Sequence, residues 1–385
     1  LEKPADLDNL FAVLLKYRGG DGRHPVFQSN YVLSSPDYQG IAEWEYKTYK
    51  DLVIPDVPSL WERGDFIAKA KEGIKKGIWY PEYHGNTHFN RFVWEDLIKR
   101  GDKATLEGFR HQIFVNGKNI DNLEYDKKLS FKQQSYLLDI GISRYRKIFG
   151  YEPRSFVGPN YTWQLKTERA LAERGIRAVQ AKNRQRDERA FWEKIRGKVL
   201  DLLGKRSADK PWHITMGDYN PKLGIFYLIR NVDFEPRGKK DTETKSGAEE
   251  AYESIIAAWQ KNGPAIVNTH RINYVYLDKR FVAENIRQLD WLLNKIQNKH
   301  PDAIYLTDWE VVQLYEDSTS VLAHGDITIC RNFAPKKQTF RIKIPEDKEI
   351  VYIKDLKTNT RIPFTFENDM IVFTVAEGHY GIQLR

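Results

Sequence analysis

Helix-like and strand-like segments alternate through about the first 310 residues of this 385-residue chain, and no other feature constrains the fold as strongly. Amphipathic patterns such as residues 130–150, which open at a Ser N-cap, lead into short apolar runs of strand length. The strand-like runs centre near residues 26, 78, 155, 177, 225, 265 and 304. Strict alternation of this kind is typical of a parallel α/β fold, here with about seven parallel strands.

Polar side chains stand where these strands end, at His84, Asn160, Glu235, His270 and Asp308. In a barrel of parallel strands the active site lies at that carboxyl-terminal face. A doubly wound open sheet would alternate in the same way, but no Gly-rich phosphate loop follows any of the strands. The sequence therefore favours a deformed (β/α) barrel. Because the chain opens with a helix over residues 6–18, whereas such barrels start with a strand, a first strand would lie before Leu1 if it exists.

The pattern changes after residue 318, where apolar and polar residues alternate with a period of two. Runs such as "TFRIKI" and "MIVFTVAEG" are separated by turn signals such as "PEDK" and "TNTR". The sequence predicts two domains, a barrel over residues 1–317 and a small antiparallel β domain over residues 318–385. No aromatic cluster in the second domain argues for carbohydrate binding, so a structural role is expected for it.

The composition argues against several classes of protein. The net charge of +8 comes from basic residues scattered among acidic ones, and no nucleic-acid-binding motif is present, so no nucleic-acid partner is expected. The single cysteine, Cys330, rules out an internal disulfide and predicts a buried structural thiol. No apolar run approaches the roughly 20 residues that span a bilayer. An extracytoplasmic location is favoured if a signal peptide was removed, and the oligomeric state stays open.

Two histidines four residues apart, His84 and His88, stand in the polar stretch "IWYPEYHGNTHFN" at the end of a predicted strand. This spacing predicts two imidazoles on one face of a helical turn. Imidazole pairs suit zinc and neighbouring divalent metals, and a catalytic site needs a third ligand and an open position. Chance spacing or helix capping would account for a bare pair. The place at a strand end, with Glu82 beside it, favours metal ligation.

His270 and the stretch "RSFVGPNYTW" supply the other candidate site residues. An apolar strand over residues 265–267 delivers His270 to the same face of the sheet, as a general acid or base or as a structural histidine. The second stretch ends in a rigid turn whose residues suit a sugar-sized groove, although a plain strand-to-helix turn is equally economical. Its candidate substrate-binding residues are Pro159, Asn160, Tyr161 and Trp163.

The order and spacing of these motifs resemble the polysaccharide deacetylases of carbohydrate esterase family four over roughly residues 1–315. "HGNTH" matches the H-[S/T]-x-x-H element of that family, with Gly85 where Ser or Thr is usual. "FVGPNY" matches its R-x-P-Y element with Val157 in place of Arg, and "VNTH" matches its late L-x-H element. The Asp-Asp pair of the family falls on a first strand that would precede the helix over residues 6–18, so either this chain lacks that strand or the lineage has lost this metal ligand and the catalytic base. Asp21 in "GGDG" reads as a turn residue instead.

The resemblance implies a metal-dependent hydrolase that removes acetyl groups from a poly- or oligosaccharide. His84, His88 and an upstream Asp would bind a divalent metal, expected to be zinc with nickel or cobalt as alternatives, which activates water and polarises the acetyl carbonyl. His270 would protonate the departing amine or alkoxide. Glu82 and Asp308 are the nearest candidates for a substitute catalytic carboxylate, and each also fits a structural ion pair.

Two other functions stay open. A metal-independent glycoside hydrolase needs two carboxylates facing each other across a sugar-binding cleft, and Glu82, Glu235 and Asp308 each follow a predicted strand. A non-catalytic carbohydrate-binding protein on a deacetylase scaffold is motivated by the missing Arg and the missing Asp pair. Metal independence would identify the first alternative, and binding without turnover would identify the second.

Overall fold

The computed structural model describes residues 2–56, 64–114, 124–183, 199, 214–236, 246–324 and 326–385. The chain divides into two compact units that are interleaved along the sequence. Unit 1 comprises Leu1–Gln28, Arg63–Tyr80 and Asn231–Arg385, and unit 2 comprises Ser29–Glu62 and Pro81–Arg230. The predicted domain boundary after residue 317 lies inside unit 1 and stays a prediction.

The elements are numbered in chain order over the described residues. The α-helices are α1 (Pro4–Leu14), α2 (Tyr38–Glu43), α3 (Phe66–Lys76), α4 (Arg91–Lys99), α5 (Lys103–Arg110), α6 (Phe131–Phe149), α7 (Leu165–Ala172), α8 (Gly247–Gln260), α9 (Lys279–Lys299) and α10 (Asp308–Asp317). The strands are β1 (Phe27–Tyr31), β2 (Ser34–Pro36), β3 (Asp51–Val53), β4 (Trp79–Tyr83), β5 (Ser155–Val157), β6 (Ala178–Ala181), β7 (Asp218–Asn220), β8 (Ile225–Ile229), β9 (Val232–Asp233), β10 (Val267–Asn268), β11 (Thr319–His324), β12 (Ile327–Asn332), β13 (Gln338–Lys343), β14 (Ile350–Asp355), β15 (Thr365–Glu367), β16 (Met370–Val375) and β17 (Gly378–Leu384). None of the helices among these residues is both long and apolar enough to cross a membrane.

The helix starts follow local capping signals. The Ser130 hydroxyl accepts the Gln133 N–H at 3.2 Å, and the Gln133 side chain accepts the Ser130 N–H at 2.8 Å, which closes a capping box at the start of α6. Ser246 begins α8 with the same device. Such caps satisfy N–H groups that the helix itself leaves without partners. The helix predicted over residues 130–150, with its Ser N-cap, is therefore confirmed.

A mainly parallel sheet carries the predicted strands. Its order is β1–β4–β5–β6–β8–β7, and the pairs β4–β5, β5–β6 and β6–β8 are parallel, whereas β7 runs antiparallel at the edge. In unit 1, β9 and β10 form a further parallel pair. These pairings confirm an α/β protein with a parallel sheet.

The prediction of a strand near residue 304 is wrong. Residues 303–307 form no strand, and the Ala303 carbonyl accepts the N–H of Gly20 at 2.8 Å. The helix α10 begins directly at Asp308, capped by Thr307 and Glu310. An apolar run is not sufficient to make a strand, because a strand also needs a neighbouring ladder. Asp308 is thus the first residue of a helix and does not follow a strand.

The C-terminal residues form antiparallel sheets, as the period of two predicts. One sheet has the order β11–β12–β17–β14 and another the order β13–β16–β15. Their apolar faces enclose a core that includes Phe340, Ile353 and Ile371. Cys330 is fully buried in this core, and burial raises the pKa of its thiol to about 12, so the expectation of a buried structural thiol is confirmed.

Candidate functional site

The two histidines of "HGNTH" lie on a turn of unit 2 that directly follows β4. Their ring centroids are 4.8 Å apart and the ring planes cross at 75°. The turn is not helical, which corrects the expectation of a shared helical face. Gly85 has a φ of +99° and His88 a φ of +66°, so neither residue has helical backbone geometry. The two rings meet across this non-helical turn.

Three main-chain N–H groups of the turn donate to the carboxylate of Glu124. Its oxygens accept the main-chain N–H groups of Asn86 at 2.9 Å, His88 at 3.0 Å and Thr87 at 3.3 Å. Burial raises the pKa of Glu124 to about 7, and the three main-chain hydrogen bonds oppose that shift. The sequence analysis missed Glu124 because it lies 36 residues beyond His88 and carries no local motif.

The surroundings of His84 keep its imidazole neutral. The Nδ1–H group donates to the carbonyl of Val157 at 2.7 Å, which leaves Nε2 with its lone pair. Burial, the neighbouring His88 and Arg230 lower the pKa of His84 to about 3, although the hydrogen bond to Val157 works in the other direction. A neutral imidazole anchored at Nδ1 is the form that binds metal through Nε2.

The two imidazoles of this turn are suitable ligands for two coordination positions of a divalent metal. Imidazole nitrogens are ligands of zinc, nickel and cobalt, and two rings at this separation can share one ion. Within the described residues, no group of three or more His, Cys, Asp or Glu side chains is placed to hold a metal ion. The third ligand, expected before Leu1, therefore stays a prediction.

Unit 1 contains a second polar cluster, at the ends of the paired parallel strands β9 and β10. Glu235 follows β9, and His270 follows β10. The Nδ1 atom of His270 donates to Oε1 of Glu235, and the Asn273 amide donates to Oε2 at 2.9 Å. The side chain of His270 is 65% exposed and that of Glu235 is 30% exposed. An accessible imidazole is thus held at one nitrogen by an anchored carboxylate.

Asn273 is the buried anchor of this dyad. Its amide also donates to the Thr269 hydroxyl at 3.1 Å, and its main-chain carbonyl accepts the Asn285 amide at 3.0 Å. The residue has no exposed surface. Its short helix, Arg271–Asn273, directly follows His270, so one tight turn positions both partners of Glu235.

Glu82 and Asp308, the predicted catalytic carboxylates, both have structural hydrogen bonds. Glu82 is completely buried, and its oxygens accept the N–H groups of Arg154 and Ser155 at 3.0 Å at the start of β5. In unit 1, Asp308 accepts the Gln28 amide at 2.6 Å while its own N–H donates to Gln28 at 3.0 Å. Their catalytic roles stay predictions.

The four predicted substrate-binding residues divide into core and surface positions in unit 2. Pro159 is buried, and Trp163 is a core residue whose indole N–H donates to Glu168 at 2.7 Å, so a sugar ring cannot stack on it. This corrects the prediction for Trp163. Asn160 is exposed, and Tyr161 is partly exposed with its hydroxyl accepting from Arg230 at 3.2 Å.

Comparisons with known proteins give no family. No family model matches the sequence, and no curated protein matches it. The α-amylase AmyC from Thermotoga maritima superposes with a TM-score of 0.37 and 10% identity, over 66% of this chain and 52% of the amylase, so this chain spans about half of that protein. An α-fucosidase from Thermotoga maritima superposes with a TM-score of 0.30 and 13% identity, over 83% of this chain and 68% of the fucosidase. A fucosidase from Bacteroides thetaiotaomicron gives a TM-score of 0.29 and 11% identity, over 89% and 74%. Superpositions this loose do not establish a common fold.

Proposed function

We propose that this protein is a hydrolase of carbohydrate substrates in which Glu235 and His270 form the proton-transfer unit. The observation that carries the proposal is the dyad itself, an exposed imidazole hydrogen-bonded to a carboxylate at the ends of two paired parallel strands. The carbohydrate substrate rests on the resemblance of the sequence motifs to polysaccharide deacetylases. The fold proposed with it is a deformed (β/α) barrel, supported by the parallel strand pairs.

The dyad supports proton transfer at Nε2 of His270. Because Nδ1 donates to Glu235, Nε2 is the ring nitrogen left for proton transfer, on a side chain that is 65% exposed. A protonated Nε2 would give its proton to the leaving oxygen or nitrogen as the bond to that atom breaks. Asn273 keeps Glu235 in place by holding its other oxygen. This arrangement serves any hydrolysis whose leaving group is too basic to depart unprotonated.

Glycosidic cleavage is one chemistry that could use this dyad. In this chemistry His270 would protonate the glycosidic oxygen, and Glu235, both of whose oxygens are held by donors, would orient the imidazole. The mechanism also needs a carboxylate at the sugar ring, for which Asp308 in the same unit is the candidate from the sequence. No metal takes part in this chemistry.

Deacetylation is the second candidate, and the His84–His88 pair favours it. A divalent metal bound there would supply activated water and polarise an acetyl carbonyl. The residues of this chain that would hold it are the Nε2 atoms of His84 and His88, and Val157 fixes the tautomer of the first. The general-acid role that the family resemblance gives to His270 stays a prediction.

The test is an assay in which the two products are followed separately. Wild type and His270→Ala are incubated with aryl glycosides and with acetylated oligosaccharides, and released sugar and acetate are measured with and without a metal chelator. We expect one product from the wild type and a loss of about 10²-fold or more in the variant. Sugar release that survives chelation assigns glycosidic cleavage, and acetate release that needs zinc assigns deacetylation.

His111→Ala is the matched control. This histidine also pairs with a carboxylate, that of Glu107 at 3.1 Å, but it is an exposed residue that directly follows α5. It should retain wild-type turnover. Equal losses in both variants would contradict the role of His270. Oligosaccharide binding without either product would replace the proposal with non-catalytic carbohydrate binding.

A further inference from the structure

We propose that Glu124 is a positioning residue that holds the His84–His88 turn in the shape in which both imidazoles can bind one metal ion. The inference deepens the deacetylation branch of the proposed function and rests on it for its purpose. Its mechanism rests only on contacts within unit 2. Glu124 itself contacts neither substrate nor metal in this proposal.

The turn cannot hold this shape by its own conformational preference. His88 has a left-handed φ of +66°, which costs a non-glycine residue energy unless the surroundings enforce it. The shape also directs three successive N–H groups, those of residues 86–88, at one point inside the protein. Buried N–H groups need acceptors, and converging groups of this kind form an anion-binding concavity. The Glu124 carboxylate supplies the acceptor for all three.

The fit between Gly85 and Glu124 shows that the carboxylate is an integral part of the turn. A Cβ atom at position 85 would lie 2.2 Å from Oε2 of Glu124, and the φ of +99° at Gly85 already disfavours other residues. This accounts for a glycine where the deacetylase motif has Ser or Thr. The space of that side chain is taken by a carboxylate from a distant part of the chain.

The Asn86 side chain anchors the turn to the rest of unit 2 through hydrogen bonds of its own, so the loss of Glu124 should disturb the turn alone. The Asn86 amide donates to the Leu137 carbonyl of α6 at 2.8 Å and to the Tyr83 hydroxyl at 3.2 Å. These bonds do not involve the carboxylate. We therefore expect Glu124→Gln to keep the fold of unit 2 while the two rings lose their fixed separation.

The experiment measures whether two imidazoles are presented together, with copper(II) nitrilotriacetate as the probe. This complex has free positions for two histidine nitrogens, and its binding is followed by electron paramagnetic resonance. We expect wild type to bind it, His84→Ala/His88→Ala to lose binding, and Glu124→Gln to bind at least about tenfold more weakly, as outer-shell changes around metal ligands do. Thermal unfolding confirms that each variant is folded.

Glu168→Gln is the matched control. Glu168 is also completely buried in unit 2, and it accepts from Trp163 at 2.7 Å and from Tyr227 at 3.0 Å. Losing its charge removes a buried carboxylate without touching the histidine turn, so probe binding should stay at the wild-type value. Should Glu124→Gln fail to fold, Gly85→Ala carries the same test, because its Cβ would displace the carboxylate.

Unchanged probe affinity in a folded Glu124→Gln protein would overturn the proposal, and so would a wild type that does not bind the probe. Failure of the proposed function gives a different result. In that case the wild type binds the probe and Glu124→Gln weakens it, yet the protein neither retains zinc nor releases acetate.

Discussion

His84 is the residue at which acid should destabilise the protein. Burial, His88 and Arg230 lower its pKa from 6.5 to about 3. Between these values the unfolded chain binds a proton at this site that the folded chain does not bind. The free energy of unfolding should therefore fall with decreasing pH, by up to about 1.4 kcal/mol per pH unit from this residue.

Urea unfolding of His84→Gln in the presence of a chelator checks this prediction across neutral to acid pH. The variant should lose stability less steeply than wild type below pH 6.5. Identical slopes for wild type and His84→Gln would show that the imidazole is not kept neutral by its surroundings.

Sequence spacing identified the two histidines as a pair but predicted their geometry wrongly. A four-residue separation suggests a helical face, yet the rings meet across a non-helical turn. The reason is a carboxylate 36 residues away that gathers the N–H groups of the turn. Such a contact has no trace in local spacing. Glu235, by contrast, was visible because it stands where a predicted strand ends.

At the scale of elements, the start of α6 offers a test of capping. Ser130→Ala removes the acceptor of the Gln133 N–H and should lower the free energy of unfolding by about 1 kcal/mol. Ser135→Ala, inside the same helix, is the control. Its hydroxyl is buried with no hydrogen-bond partner among the described residues, so its removal should be neutral or stabilising. Chemical denaturation of both variants measures the difference, and an equal cost would contradict the capping argument.

A buried ion network fixes β12 to the N-terminal part of unit 1. The Arg331 guanidinium donates to Asp21 and to Glu310, and Arg23 donates to Glu310 at 2.7 Å. The charged side chains of Arg331, Asp21 and Glu310 have no exposed surface. Burial opposes the charged form of Asp21, but Arg331 and Arg23 together more than offset this and lower the pKa of Asp21.

Arg331→Met should therefore be strongly destabilising, by about 3–5 kcal/mol, because it leaves buried carboxylates without their main partner. Arg341→Met is the control. It breaks only an exposed 3.8 Å ion pair between Arg341 of β13 and Glu367 of β15, and it should lower the free energy of unfolding by about 1 kcal/mol or less. Equilibrium unfolding compares the two. A small loss of stability in Arg331→Met would mean that Asp21 and Glu310 are not kept ionised by Arg331 in the folded protein.

Elements with strong local signals were the predictable ones. The cap of α6 and the period-two strands after residue 318 are determined by neighbouring residues. The stretch 303–307 was misjudged because its apolar residues resemble a strand, whereas strand formation depends on a ladder partner elsewhere in the chain. Asp308 was placed wrongly for the same reason.

At the scale of the whole molecule, the sequence predicted the α/β class and the antiparallel C-terminal sheets but not the two interleaved units. Unit 1 is assembled from three separate stretches of chain, and Asp21 meets Arg331 across 310 residues. Helical and strand periodicity reports local structure and is silent on contacts at this distance. The two polar clusters belong to different units, the His84–His88 turn to unit 2 and the Glu235–His270 dyad to unit 1.

The measurement that tests the central claim most directly is a double-mutant cycle on the dyad. Once a carbohydrate substrate is identified, kcat/KM is determined for wild type, Glu235→Gln, His270→Ala and the double variant, with Glu107→Gln/His111→Ala as the surface control. Residues that act as one unit show strongly non-additive losses, so the double variant should be about as slow as His270→Ala alone. Additive losses, or single variants as fast as wild type, would contradict the account in which Glu235 acts through His270.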